Sequence, residues 1–315
     1  MIKAWIGVGL VLVACIVAAL GGVLPSYYVG LITEALIIAL FVMSLDLLAG
    51  FTGLESLGHA AFFGIGAYVS ALLSLNGVDN MFVLIGAAML VATITGAAFG
   101  AVALRAIGPY FLIITMALGY LPWALAIRWR GLTGGDDGLP GIMRPTLGFG
   151  ISVDSVTNFF IFVVAVFAVC AVVLAIVGRS AFGRTLKGIK DNPSRMDALG
   201  YRIWLHKYVC FIIASAFAGI AGALFGFYNG FVSPMDLSVY RSAEALVAVI
   251  LGGAGTLIGP AIGAVAILVL RFTVSAWTEY WGFVLGAIYI LVVLFAPQGV
   301  FAAFGRAANK PKVTK

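Results

Sequence analysis

Charge is scarce in this 315-residue chain: Asp, Glu, Lys and Arg make up 10% of it, against 63% hydrophobic residues and a mean hydropathy of +1.17. A soluble domain keeps roughly a quarter of its residues charged. A chain this apolar cannot cover itself with a water-facing surface, so lipid must be its solvent. Its long apolar runs also lack an alternating polar pattern, which excludes a β-barrel and leaves helices, because backbone in lipid has to bond internally. Histidine is confined to His59 and His206, and the three cysteines, Cys15, Cys170 and Cys210, fall inside apolar runs with no CxxC. The cysteines read as small buried hydrophobes, and neither a metal site nor a disulfide framework is expected. No G-x-x-x-x-G-K-[ST], HExxH or GxSxG occurs, so no enzyme activity is expected and the chain has no phosphate-binding loop of its own. If ATP energises its action, the nucleotide must bind another subunit. The net charge of +6 would suggest nucleic acid in a soluble protein. Here it reads as a signal of membrane topology.

What is abundant is apolar sequence in runs of membrane-crossing length, about 20 residues for the ~30 Å hydrocarbon core. Ten candidate spans emerge, near 4–24, 30–49, 56–75, 81–104, 109–128, 157–178, 207–228, 241–257, 260–275 and 279–297. The first is too long for a signal-peptide core and reads as a membrane helix. Spans three, eight and nine are interrupted by glycine and include candidate half-helices. The expectation is therefore an all-α polytopic membrane protein, one domain over 1–315, with about ten transmembrane or half-membrane helices. Basic residues orient it. The stretch 179–207 holds Arg179, Arg184, Lys187, Lys190, Arg195, Arg202 and Lys207 against Asp191 and Asp197. The tail 306–315 adds Arg306, Lys310, Lys312 and Lys315 with no acid. Cytoplasmic loops carry such an excess, so both segments, and Lys3 with them, are expected in the cytosol.

On the other side, the longest connection runs from about Trp129 to Val156 and contains Thr133-Gly134-Gly135-Asp136-Asp137, which is turn chemistry. It is either a plain surface loop or an outer gate or docking surface for a partner that delivers substrate.

The most informative segment is Gly183 to Gly200. Asn192 suits an N-cap, Pro193 the first helical position and Gly200 the left-handed residue after a helix end. Between them the caps predict a helix of about two turns, Pro193 to Leu199, exposing Arg195, Met196, Asp197 and Leu199. Two turns are too short to stand alone in water. The segment is then either a solvated basic loop at anionic headgroups or a helix held by another protein, and the exposed Met196 and Leu199 favour docking.

Two glycine-rich breaks interrupt apolar sequence, one in each half: Leu48–Gly66, with Gly53, Glu55, Ser56 and His59, and Leu251–Gly263, with Gly252, Gly253, Gly255 and Thr256. Freed backbone in such breaks can line a transport path, and close helix packing is the alternative. The pairs Gly96/Gly100, Gly222/Gly226 and Gly282/Gly286 read as packing alone. Glu55 and His59 share a face if their stretch is helical and could meet a small zwitterion. Alternatively Glu55 lies at the cytosolic interface and His59 bonds a carbonyl. Glu34, Asp46, Arg105 and Arg271 fall near span ends, where snorkelling lowers the cost of a charge. Arg241 and Glu244 are spaced to pair.

Several stretches together resemble the branched-chain amino acid ABC transporter permeases, the LivM-type subunit more than its sister. They are Ser56–Tyr68, Gly108–Gly119, Thr133–Ile142, Gly183–Tyr201, Ile250–Thr256 and Ala296–Phe301, in family order over residues 45 to 301. The resemblance implies a permease in a bacterial cytoplasmic (inner) membrane, working with a homologous sister permease, two cytosolic ATPases that hold ATP and Mg, and an extracytoplasmic binding protein. It also implies that the Gly183–Tyr201 loop carries the coupling helix, with Arg184, Lys187, Asp191, Asn192, Pro193, Arg195, Met196, Asp197, Leu199 and Gly200 as the coupling residues. Glu55 departs from the family pattern and bears on the substrate; Pro193 departs too but suits a helix start. The function implied is uptake of small hydrophobic amino acids. A urea or short-amide importer is the nearest alternative, and an ion-coupled secondary transporter using Glu55, Asp46 and His59 is a more distant one.

Overall fold

The computed structural model describes residues 25–106, 108–148 and 152–278, with isolated positions at 15–21 and 280–290. Most of the expected first and tenth spans, 4–24 and 279–297, and all of the tail 306–315 lie outside the described residues. In chain order the described helices are α1 (Ser26–Thr52), α2 (His59–Leu75), α3 (Met81–Ala103), α4 (Pro109–Arg128), α5 (Arg130–Thr133), α6 (Val156–Arg179), α7 (Ala181–Asp191), α8 (Pro193–Ala198), α9 (Ile203–Asn229), α10 (Val239–Gly252) and α11 (Ile258–Trp277). Two-residue strands β1 (Leu139–Pro140) and β2 (Phe231–Val232) pair antiparallel, Leu139 facing Val232.

Local chemistry sets the ends. The Asn80 side chain accepts from Phe82 and Val83 N–H at the start of α3, and Ser155 accepts from Asn158 N–H at the start of α6. Such caps satisfy the N–H groups a helix leaves free in its first turn. Gly53 and Gly230 end α1 and α9 at φ +73° and +64°, where a Cβ would be strained.

Six of the described helices are long and apolar enough to cross a membrane: α1, α3, α4, α6, α9 and α11. In α1 and α9, 83% and 72% of the apolar window is buried, against 22% in α3 and α4. α1 and α9 are therefore the core pair and α3 and α4 the periphery. They run antiparallel, with Gly30 beside Tyr228 and the Cys210 thiol 3.2 Å from the Leu47 carbonyl. Small residues let neighbours close in, as expected for Gly96, Gly100, Gly222 and Gly226. Gly96 meets Ser215, Gly100 meets Phe211, and Gly222 lies on the Phe63 backbone. Where lipid helices gain little from burial, this close approach supplies the van der Waals contact that holds them.

α2 and α10 do not span. At 14 residues, α10 reaches about 21 Å. α2 begins well inside the bundle: Gly58, just before it, lies on the backbone of Thr115 and against Gly119, midway along α4. The chain thus leaves the end of α1, climbs back as coil through 53–58, and starts α2 at mid-depth. The second half does the same in reverse. α9 ends at Asn229, coil and a 3-10 turn at Pro234–Leu237 descend along α2, and α10 starts beside it. The two half-helix starts meet where Ser242 Oγ accepts from Ala60 N–H at 2.8 Å. α1–coil–α2 and α9–coil–α10 are therefore inverted copies of one motif, each led by a 27-residue helix.

This corrects the expected pairing of breaks. The partner of the Gly53–Gly58 coil is the 230–238 coil, not the glycine-rich stretch at 252–259, which is the tight turn joining α10 to α11. Span nine, correspondingly, is an unbroken 20-residue helix, α11.

Candidate functional site

The basic stretch 179–207 folds as two helices. Ser180 caps α7 by accepting from Gly183 N–H, and α7 buries Gly183, Leu186 and Ile189 along one face. Its opposite face turns Arg184 outward, where Nη1 donates back to the Arg179 carbonyl at 2.9 Å. Asp191 is exposed. α8 follows, with the predicted caps: Asn192 Oδ1 accepts from Arg195 N–H at 3.0 Å, Pro193 is the first helical residue, and Gly200 takes φ +85°. The helix ends at Ala198, and Leu199 is its C-cap, 67% exposed. Arg195 and Asp197 are exposed as expected. Met196 is not: its side chain folds back onto Gly188 of α7, filling the space the missing Cβ leaves. No residue of α8 is fully buried, so it lies at the surface, held to α7 through Met196 with its other side chains exposed.

α7 is tied to both broken regions. Lys190 Nζ donates to the Gly50 carbonyl at the end of α1 (2.8 Å), and Lys187 Nζ donates to the Gly255 carbonyl in the α10–α11 turn (3.0 Å). Lys187 also lies 4.4 Å over the Phe51 ring. Between the two lysines sits Asp46. Its oxygens accept from Gly255 N–H at 2.7 Å and Leu257 N–H at 2.9 Å. Asp46 does not snorkel, as its place near a span end had suggested; it is fully buried and caps the start of α11 from within α1. A carboxylate there meets the positive end of the helix dipole and two otherwise orphaned donors. Gly50 and Gly255 have to be glycine for this, since a Cβ on Gly50 would collide with Gly255 N and with Asp46 itself. Gly252 packs flat on Gly259, and Thr256 Oγ1 bridges the Gly253 carbonyl and Gly259 N–H. Gly252, Gly253, Gly255 and Thr256 thus build a rigid turn at the basic end of the bundle.

Glu55 and His59 do not share a helix face. Leu54–Gly58 is coil, so the two side chains part company. Gly53 and Glu55 are exposed toward the basic end, while Ser56 and His59 are fully buried. The His59 ring stacks on Phe41 and meets Phe62 edge-on, with Nε2 2.9 Å from Ser44 Oγ. It bonds a hydroxyl rather than the expected carbonyl.

At the other end of the bundle, Thr133 is buried and donates to the Ala126 and Trp129 carbonyls. Gly134 and Gly135 take φ +76° and +66°, and Asp136 and Asp137 are exposed in the 3-10 turn that follows. β1 then pairs with β2, so this loop is fastened directly to the coil that leads into α10.

Sequence reasoning missed one constellation. Arg271 binds Glu34 at 2.8 Å and approaches Glu244 at 3.9 Å; Arg241 reaches Glu244 at 3.8 Å and Asp236 at 3.3 Å. This chain of five charges links α1, α11, α10 and the 230–238 coil. Glu34 lies about 12 Å along α1, too deep to snorkel, and its neutraliser comes from 237 residues away. The Arg241–Glu244 spacing hinted at one link. Nothing local could have revealed the rest.

A helical bundle with two half-helices meeting at its centre and a short helix thrust from one face defines a multi-pass membrane transport protein of the permease class. The chain belongs to the branched-chain amino acid permease family: the family model described as "Branched-chain amino acid transport system / permease component" matches residues 27–293. It is 30% identical over 295 residues to the high-affinity branched-chain amino acid transport system permease proteins LivM of Salmonella typhimurium and Escherichia coli, covering 86% of this chain and 69% of each relative. The corresponding LivH of Salmonella typhimurium is 27% identical over 294 residues, covering 88% of this chain and 92% of the relative. No solved structure matches the chain.

Proposed function

We propose that this chain is one membrane-spanning half of an ABC importer that carries small hydrophobic, branched-chain amino acids inward. Its basic end faces the cytosol, with the tail 306–315 there too, in a bacterial inner membrane. ATP and Mg bind two partner ATPases, a homologous sister permease completes the path, and an extracytoplasmic binding protein docks on the opposite face near Thr133–Asp137. The observation that carries this reading is α8. It is a capped helix of six residues, too short to be stable on its own, projecting Arg195, Asp197 and Leu199 while its stem α7 is clamped to α1 and to the α10–α11 turn. Force applied to α8 would pass through Lys187 and Lys190 to both inverted units, which is how an external motor can switch a bistable bundle.

The ion-coupled alternative fits less well. It needs Asp46 and His59 open to a cation, yet both Asp46 oxygens are taken by backbone N–H groups and His59 packs against two phenylalanines. The test is purification in mild detergent followed by uptake in vesicles. ATPase subunits should co-purify, and uptake of leucine should stop on ATP depletion and survive collapse of the ion gradient. Uptake that follows the gradient instead refutes the ABC reading, and competition by urea but not by leucine would reassign the substrate.

A further inference from the structure

A cavity of about 640 Å³ opens at the basic end between the Gly53–Glu55 coil, the start of α4 and the first third of α9, with Pro193 of α8 at its edge. Its walls are apolar: Leu54, Phe111, Leu112 and Ile189. Its charged groups are Glu55, Lys190 and Lys207. Lys190 is committed to the Gly50 carbonyl. Glu55 and Lys207 are different. Neither has a hydrogen-bond or ion-pair partner among the described residues, and no ion pair joins them to each other, although they line the same space. Glu55 is exposed and Lys207 half-buried, so the cavity offers one uncommitted charge of each sign above an apolar wall.

We infer that this cavity binds the solute itself on the basic side, as a small zwitterion with an apolar side chain. Its carboxylate would meet Lys207, its ammonium Glu55, and its side chain the wall of Leu54, Phe111 and Leu112. A zwitterion matches because it brings one charge of each sign and no net charge, so both protein groups are completed at once. An amine or an acid alone would satisfy one group and leave the other bare. The volume falls within the usual range for a small-molecule pocket, ~300–1,000 Å³. The inference rests on the amino-acid reading above and adds to it a particular exit-side site.

The test uses the assembled transporter in nanodiscs of phosphatidylglycerol, so that no zwitterionic lipid headgroup competes. Equilibrium binding of labelled leucine is measured without nucleotide or binding protein, with isoamylamine and 4-methylpentanoate as competitors lacking one charge each. Both should bind at least about tenfold more weakly than leucine, the worth of one charged hydrogen bond. Glu55→Gln should bring leucine down to the level of 4-methylpentanoate while leaving that acid's binding unchanged. Lys207→Met should do the same with respect to isoamylamine. Leucine binding unchanged in both variants, or losses equal for all three ligands, overturns the site. Uptake of leucine by the wild-type transporter in vesicles is run alongside. Uptake without the expected binding pattern sinks the site alone, whereas no uptake sinks the amino-acid reading on which it rests.

Discussion

Replacing Asp46 by alanine should unlatch the α10–α11 turn from α1. The carboxylate accepts two short hydrogen bonds, from Gly255 N–H and Leu257 N–H, in a fully buried position. Each charge-assisted bond is worth about 1.5–3 kcal/mol, so the gross loss is about 3–6 kcal/mol. Part returns because a buried carboxylate no longer has to be desolvated, and a net loss of about 2–4 kcal/mol follows. Leu257 offsets part of it, since it sits at φ +63°, a conformation a non-glycine residue adopts at a cost of about 1–3 kcal/mol when its surroundings enforce it. With the cap gone, that residue should relax and carry the turn with it. The assay is twofold. Apparent thermal stability in detergent should fall on the order of 5–10 °C, and a cysteine placed at Thr256 should be labelled faster by a maleimide from the basic side. Asp46→Asn keeps one acceptor and should lie between wild type and alanine in both measurements. Wild-type stability together with wild-type labelling in Asp46→Ala would refute the claim that this carboxylate holds the turn.

Other perturbations follow from the same geometry. Leu199→Asp should abolish the link between ATP hydrolysis and uptake while leaving thermal stability within about 1 °C, because Leu199 is 67% exposed; coupled uptake at wild-type rates would show that α8 is not the docking element. Met196→Asp should instead lower stability by about 1–3 kcal/mol, since Met196 packs on Gly188 and a carboxylate there would be desolvated; thermal melts compare the two variants. Arg271→Met should cost about 3–5 kcal/mol by stranding Glu34 at membrane depth, and adding Glu34→Gln should restore most of it; additive losses in that double-mutant cycle would deny the pair. Gly66→Leu should prevent folding, measured as loss of monodisperse protein, because a Cβ at that position meets the Gly219 backbone.

What the sequence made legible was whatever depends on neighbours along the chain. The α8 caps are an example: Asn192, Pro193 and Gly200 act within one short stretch, and each took the conformation its chemistry predicts. Apolar runs likewise located α1, α3, α4, α6, α9 and α11, because crossing lipid is a property of a single segment. α7 escaped only because its apolar face, Gly183, Leu186 and Ile189, is short and set among lysines.

The misreadings share one physical cause. Glycine serves two ends in a membrane bundle, positive φ and close approach, and spacing alone does not separate them. Gly252 and Gly259 read as a broken span but are a turn pressed flat, whereas the break that matters to α10 lies at Gly230–Ser238, where serine and proline do the work and few glycines advertise it. Charges mislead in the same way. Asp46 and Glu34 look like residues near span ends until their partners arrive from 209 and 237 positions away. Those distant partners are the point. In lipid an unpaired carboxylate is expensive, so each buried acid in such a chain demands a donor, and finding that donor identifies which helices must stay together. Here Asp46 binds α1 to α11 at the basic end, and Glu34 binds the same two helices, through Arg271, nearer the other. Two electrostatic bolts on one helix pair argue that α1 and α11 move as a unit. A pull on α8 then reaches that pair directly, because the α7–α8 arm is clamped at its root: Lys187 holds the α11 turn and Lys190 the end of α1.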